Sequence, residues 1–203
     1  MSLSTNHFDK SATQWDSPEK IQKSQDTAAK IKSTLYKINP EFKITHTLEV
    51  GCGTGLLGGN FISPDTAYTG IDSSSEMLKV LQSKFPMSNV KTLNLDVERE
   101  SLNHIDYNFV LSQMAFHHLK DPSQVVKSLK KNKDFKLVII DLDKEDGSFH
   151  PDPKSMGVHH FGFTRDEIAS WAQGANLNLE HYEIINTIEK NNKQYHQFLA
   201  IIG

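Results

Sequence analysis

Apolar residues recur at helical spacing through Ile21, Ala28, Ile31, Leu35 and Ile38. Ser17 stands where an N-cap belongs, Pro18 suits the first helical position, and Pro40 closes the segment. Beyond it short apolar strands alternate with amphipathic stretches. Strands are expected at Thr45–Val50, Ala67–Asp72, Val90–Leu95, Tyr107–Ser112 and Lys136–Leu142. Helices are expected from the glycine-rich turn through Phe61, over Ser73–Phe85 with Met77, Leu78 and Leu81 inward, and over Pro122–Lys130. Thr164, with Glu167 completing a capping box, starts another that runs to Gln173. Leu177–Ile185 and Tyr195–Ile202 follow as strands around a polar turn at Lys190–Lys193, with no crossover helix between them. Strand–helix alternation at this spacing predicts an α/β fold with a doubly wound, mostly parallel seven-stranded sheet. The last two strands should form an antiparallel hairpin at one side.

At 203 residues the chain is long enough for one sizeable core, which predicts a single unit over 1–203: a lid and helix in 1–40, the core in 41–203. A net charge of −3 gives no electrostatic reason for a nucleic-acid or anionic-membrane partner. Met1–Lys10 lacks the apolar stretch of a secretory signal, and runs such as Leu137–Ile140 are too short to cross a bilayer. The lone Cys52 excludes an internal disulfide. A cytoplasmic protein is expected.

The segment Leu48-Glu49-Val50-Gly51-Cys52-Gly53-Thr54-Gly55 follows the first strand directly. Alternating glycines there let the backbone turn sharply and let a ligand lie against bare main chain. Gly53–Gly58 also satisfies the dinucleotide pattern G-x-G-x-x-G, with Asp72 downstream. In that register, however, the first glycine comes late, and Glu49 would set a carboxylate at the strand's mouth, facing a pyrophosphate. A sulfonium cofactor with an ammonium group tolerates that charge, and Glu49 decides for it.

Glu49–Gly55 resembles the first motif of the class I S-adenosylmethionine-dependent methyltransferases. Gly70–Leu78 is similar to the second motif, and Asn94–Glu98 to the acidic third position. Phe109–Leu119 and the opening Phe8–Asp16 resemble the ubiquinone/menaquinone-biosynthesis-like, small-molecule branch. The resemblance implies a Rossmann-like core with an N-terminal helical lid, S-adenosyl-L-methionine as cofactor, and a set of binding positions. These are Glu49, Gly51, Gly53 and Gly55 in the turn, and Asp72 on the ribose hydroxyls. Asp96 or the Val97 main chain would read the adenine edge, Ser73 and Met77 would lie near it (with Met77 equally suited to the core), and Gln113 would lie towards the methionine end.

Ser112–Ala115 stands where base-amino methyltransferases resemble one another in an Asn/Asp-Pro-Pro-aromatic run, so that class is not expected. Cys52 lies in the cofactor turn, reads as a small filler, and is no nucleophile for cytosine C5 methylation. His117-His118 follows the fourth strand and reads as structural or near the substrate. The long segment Asp143–Phe163 carries His150, His159 and His160 interleaved with Phe149, Phe161 and Phe163. It leaves the carboxyl edge of the sheet, where such folds bind ligands, and loops of this length are uncommon without a function. A substrate pocket with one of these histidines as general base is expected there, His159 first, against the plainer reading of packing or surface histidines. No compact ligand spacing supports a metal site. The basic run Lys127–Lys136 reads as a solvated helix end. The expectation is methyl transfer to a small molecule by in-line displacement, by a monomer or homodimer. A protein methyltransferase, a non-catalytic S-adenosylmethionine-binding regulator and a nicotinamide-dependent oxidoreductase are the alternatives.

Overall fold

The computed structural model of the protein describes residues 3–102, 104–129 and 134–203, with side chains from residue 7 onward. Met1, the expected helix end at Lys130 and residues 130–133 of the basic run lie outside that description. The elements are α1 (Leu3–Ser11), α2 (Pro18–Ile38), β1 (His46–Val50), β2 (Ala67–Asp72), α3 (Ser75–Lys84), β3 (Val90–Asn94) and β4 (Phe109–Gln113). After them come α4 (Pro122–Leu129), β5 (Lys136–Leu142), α5 (Arg165–Gly174), β6 (Leu179–Lys190) and β7 (Lys193–Ile202).

The seven strands form one sheet in the order β3-β2-β1-β4-β5-β7-β6. β3, β2, β1, β4 and β5 are parallel; β7 inserts antiparallel between β5 and β6, with Ile139 opposite Ala200. β5 reads as an unbroken apolar run because both of its faces are covered. Leu137 and Ile139 pack with Val125, Val126, Ile168 and Ala172 of α4 and α5. Val138 and Ile140 point the other way, onto Ala28, Ile31 and Leu35 of α2.

Capping matches the polar residues that precede the helices. Ser17 Oγ accepts from Lys20 N–H, Ser74 Oγ from Met77 N–H, and Thr164 forms the full capping box with Glu167.

One expected element differs. After β1 the chain makes a string of turns and only a short 3₁₀ stretch, Gly58–Phe61, in place of a helix running through Phe61. Gly51, Gly53 and Gly55 sit at φ +68°, +52° and +75°, a left-handed conformation that no regular helix contains. Gly58 then presses so close to the sheet that an added Cβ would come within 2.1 Å of Glu49 Oε2. The crossover between β1 and β2 is therefore thin, and it leaves the glycine turn open above the sheet.

Candidate functional site

Strand order reverses between β1 and β4: the chain runs outward through β2 and β3 on one side, and through β5 on the other. Loops leaving the carboxyl ends of β1 and β4 diverge there and open a crevice. It holds a cavity of about 770 Å³, ample for a nucleoside-sized ligand and a small second molecule.

The tips of β1, β2 and β3 build one half. Glu49, Gly51, Gly53, Asp72, Ser73, Met77, Asp96, Val97 and Gln113 all line the cavity. Asp72 is held rigidly, its Oδ2 accepting from Gly53 N–H at 2.8 Å and its Oδ1 from Ser74 N–H at 2.8 Å. Burial raises its pKa and those backbone N–H groups oppose the rise. Met77 is 1% exposed and borders the cavity as well, so its core and ligand readings are compatible. Asp96 pairs with Arg99 at 3.1 Å and accepts from Glu98 N–H at 3.0 Å, which shapes the turn after β3.

Glu49 is not a free carboxylate. It is 2% exposed, with Oε1 accepting from Gly58 N–H at 3.2 Å and Oε2 from the Tyr68 hydroxyl. Burial pushes its pKa up to about 8, against the lowering effect of those two bonds. It braces the turn from below. Gly55 also departs from the expected set: its absent Cβ would touch Leu81 at 3.0 Å, so it faces the core beneath the turn and does not line the cavity.

Whether the cradle suits the cofactor that the motif implies is read at Gly53. A Cβ added there meets nothing within 4 Å, so the bare backbone faces open space beside Asp72. A backbone free to be approached, next to a fixed carboxylate, is what an adenosyl group with a ribose diol requires. The residues present fit it.

The opening segment covers this half. Asp9 Oδ1 accepts from Ser74 Oγ at 2.6 Å, and Asp16 Oδ1 from Thr54 Oγ1 at 2.5 Å. Lys84 Nζ bridges Asp16 Oδ2 at 2.6 Å and the Thr54 carbonyl at 2.9 Å. Phe8 and Trp15 pack edge to face, and both line the cavity. The lid is thus tied to two of the turns that carry cofactor-binding positions, those after β1 and β2.

The other half is built by α2, β6, β7 and the segment after β5. Lys20, Lys23, Ser24 and Thr27 present one face of α2. Asn186 donates to Gln197 Oε1 at 2.8 Å across the hairpin, and Gln197 reaches Met114 Sδ at 3.0 Å. Met114 holds φ +55°, a strained conformation at the mouth of β4.

Of the three histidines expected to serve the acceptor, only His159 lines this cavity. His150 is 8% exposed and packs behind His117, with ring centroids 4.9 Å apart. Its Nδ1 has no partner, and burial first, then His117 and His118, lowers its pKa to about 4. His160 turns its Nε2 to the Lys120 carbonyl at 3.3 Å. The loop is clipped in that pose, since His159 and His160 both donate their backbone N–H to the His117 carbonyl, at 2.9 and 3.1 Å.

His118, by contrast, does line the cavity. Its neighbour His117 is 1% exposed and donates from Nδ1 to Asp141 Oδ1 at 2.7 Å. Asp141 is a fully buried carboxylate next to the last residue of β5, inside an otherwise apolar run, and that is the signal in the sequence for a special partner nearby. The lid carboxylates Asp9 and Asp16 lie in the opening stretch that the resemblance marked, though nothing in it singled them out, and the hairpin pair Asn186 and Gln197 had no local motif to flag them. Among the described residues no group of three His, Cys, Asp or Glu could hold a metal ion, and no helix is long and apolar enough to cross a membrane.

Residues 47–145 match the family described as Methyltransferase domain. An uncharacterized methyltransferase of Schizosaccharomyces pombe is 30% identical over 162 residues, covering 71% of this chain and 56% of that protein. A ubiquinone biosynthesis O-methyltransferase of Coxiella burnetii is 26% identical, with 75% of each chain covered. The chain spans about half the length of the curated relatives it matches first. In fold it is similar to the magnesium protoporphyrin IX methyltransferase of Synechocystis, solved with bound S-adenosylhomocysteine, at a TM-score of 0.63 and 14% identity over 90% of this chain and 85% of that one. With the glycine turn, the sheet order and these relatives in agreement, the chain carries a class I S-adenosylmethionine-dependent methyltransferase domain.

Proposed function

We propose that the protein binds S-adenosylmethionine in the β1–β2–β3 half of the cavity and transfers its methyl group to a small molecule held in the other half. The observation that carries this reading is the continuity of one cavity from Gly53 and Asp72 to Asn186 and Gln197. A bound sulfonium would supply an activated methyl group. The chain's own contribution is then placement and exclusion of water, which can account for most of the rate of an in-line displacement.

In this reading Asp72 takes the ribose hydroxyls, and Gly51 and Gly53 admit the cofactor against the backbone. Ser73, Met77, Asp96 and Val97 surround the adenine, Gln113 reaches the methionine end, and Glu49 and Gly55 shape the turn from beneath. His159 belongs to the acceptor wall, while His150 and His160 support the loop that carries it. The enclosing lid and hairpin favour a free small molecule over a protein side chain, and the likeness to an O-methyltransferase of ubiquinone biosynthesis points the same way. The chain would work as one unit, in the cytoplasm, as a monomer or homodimer.

Calorimetry with S-adenosylhomocysteine, S-adenosylmethionine and NAD tests the cofactor, and incorporation of labelled methyl into a metabolite extract tests transfer. Binding of NAD alone would overturn the reading. Binding of both adenosyl ligands without methyl transfer to any extract would leave a binding protein in place of an enzyme.

A further inference from the structure

We propose that His118 is the general base of the transfer, taking the acceptor's proton on Nε2, and that the acceptor is a hydroxyl compound methylated on oxygen. This rests on methyl transfer taking place in the cavity, as proposed above.

His118 ends the turn that follows β4, and its ring borders the cavity together with Met114, Ala115 and His159. Its Nδ1 lies 3.0 Å from the Gly157 carbonyl oxygen. A carbonyl can only accept, so Nδ1 carries the hydrogen of the neutral ring and Nε2 carries the lone pair. Gly157 belongs to the same loop that His159 and His160 clip to the His117 carbonyl, so the tautomer is set by a held backbone group. From the lid, the Phe8 ring stands edge-on to the His118 ring at 5.6 Å and covers it. The His117 ring packs on it as well, at 4.2 Å, anchored by Asp141. The ring is therefore fixed by three contacts.

The other titratable groups at the cavity are engaged or lack a lone pair: Glu98 Oε1 accepts from the Lys120 and Asp121 N–H groups at 2.8 and 2.9 Å, and the cations Arg99, Lys120 and Lys154 have no acceptor to offer. Lys20 donates to the Trp15 carbonyl at 3.0 Å with its ammonium over the Trp15 ring, and Lys23 pairs with Glu19 at 2.8 Å. Asn186 and Gln197 are neutral amides bonded to each other. Asp72 and Asp96 stand on the β2–β3 side, and Glu49 lies under the turn. His159 is exposed, with no side-chain bond to fix its tautomer among the described residues.

The held tautomer leaves one lone pair, on Nε2, for one acceptor proton at the cavity wall, and the electrostatic setting agrees with a hydroxyl as its source. Burial, and next the neighbouring His117, lower the His118 pKa to about 4; the Gly157 bond and Asp141 oppose this, and His159 adds to it. His150 faces the ring as well, its centroid 6.2 Å away. Such an imidazole stays neutral at physiological pH, yet it lies roughly six units below an alkylammonium and cannot free an amine lone pair before attack. It can take a proton from an oxygen that is turning positive as it bonds to carbon. In the balanced step an oxygen lone pair forms the O–CH₃ bond and the S–CH₃ bond breaks with its pair kept on sulfur. The hydroxyl proton passes to Nε2, and the imidazolium then returns it to water.

Two readouts test this. In the first, the protein saturated with S-adenosylhomocysteine is treated with methyl 4-nitrobenzenesulfonate, which alkylates neutral imidazole nitrogens, and the product is mapped by mass spectrometry. Methylation of His118 at Nε2, at a rate unchanged between about pH 5.5 and 8, is expected, because a group with this lowered pKa is neutral throughout that range. Modification of other histidines with His118 untouched would overturn the proposal, since Nε2 would then not face the cavity. In the second, His118→Asn retains a donor for the Gly157 carbonyl but no base. It should cut kcat for labelled methyl incorporation from extract by about a hundredfold, the lower end for general-base loss. KM for S-adenosylmethionine and affinity for S-adenosylhomocysteine should be unchanged, and the wild-type product should be a methyl ether or ester. Full activity of the variant, or an N- or S-methylated product, would sink it. Failure of S-adenosylhomocysteine to bind the wild type is read separately by calorimetry and removes the cofactor reading instead.

Discussion

Replacing Glu49 by Gln should make the protein's stability less sensitive to alkali, and the size of the effect follows from where the carboxyl sits. Glu49 is 2% exposed beneath the glycine turn, between the Gly58 N–H and the Tyr68 hydroxyl, and burial holds its pKa at about 8 against an ordinary 4.5. A carboxyl whose pKa is raised by folding stabilises the folded state fully below pH 4.5. Between 4.5 and 8 the unfolded chain is ionised while the folded one stays protonated, and each pH unit costs about 1.4 kcal/mol. The whole interval amounts to about 5 kcal/mol at most, comparable with the total stability of many domains. Glutamine keeps an acceptor for Gly58 and offers Tyr68 a donor, so any imperfection in its bonds is the same at every pH. Urea unfolding of both proteins, freed of cofactor, from pH 5 to 8.5 isolates the slope. The stability of Glu49→Gln relative to wild type should rise by about 4 kcal/mol between pH 5 and pH 8 and then level off. Parallel curves would refute the reasoning and mean that Glu49 ionises where it is, with its charge met by the turn.

Three further outcomes are expected. Asp72→Ala should weaken S-adenosylhomocysteine binding by roughly 1.5–3 kcal/mol, the worth of a hydrogen bond to a charged group, and should also lower the melting temperature, because the Gly53 and Ser74 N–H groups lose their acceptor; calorimetry alongside thermal melting checks both halves. Gly53→Val should also abolish tight binding, because the new side chain fills the open space above the turn and strains a backbone at φ +52°; binding that survives would mean the cofactor lies elsewhere. The lid should come loose without cofactor: hydrogen exchange over Phe8–Asp16 that is identical with and without S-adenosylhomocysteine would show that the ties from Asp9 to Ser74 and from Asp16 to Thr54 hold the lid shut by themselves.

Wherever a local rule governs the chain, the sequence was readable. Short continuous apolar runs located β1, β2 and β5 and a period of 3.6 located α3, because strands buried on both faces and helices buried on one leave different signatures. The absence of a crossover helix after β6 was enough to turn β7 antiparallel, although not to show that it would slot between β5 and β6. The same glycines that revealed the binding turn misled the reading of the segment after it. Left-handed backbone at Gly51, Gly53 and Gly55 and the tight seat of Gly58 on Glu49 leave room for a 3₁₀ turn only, and that conflict is tertiary.

The histidines show where local reading stops. His150, His159 and His160 look alike along the chain, since all three sit among phenylalanines in a loop at the right edge of the sheet. What separates them is distant in sequence. The His117 carbonyl, clasping two successive amides of the loop, fixes which ring turns to the cavity and which to Lys120. His117 and His118, adjacent and chemically identical, part ways because one meets a carboxylate buried in β5 and the other a carbonyl of the loop. A strand carboxylate with no exposure must have a partner, as burying it alone would be prohibitive. Asp141 therefore selects His117 for structure and leaves its neighbour free for chemistry. That division of labour depends on Asp141, which accepts from the His117 ring at 2.7 Å and from the His117 backbone N–H at 3.2 Å. Asp141→Asn should loosen His117 and the loop clipped to its carbonyl, seen as faster hydrogen exchange at His159 and His160, and with them the bond to Gly157 that sets the His118 tautomer; unchanged exchange there would refute it.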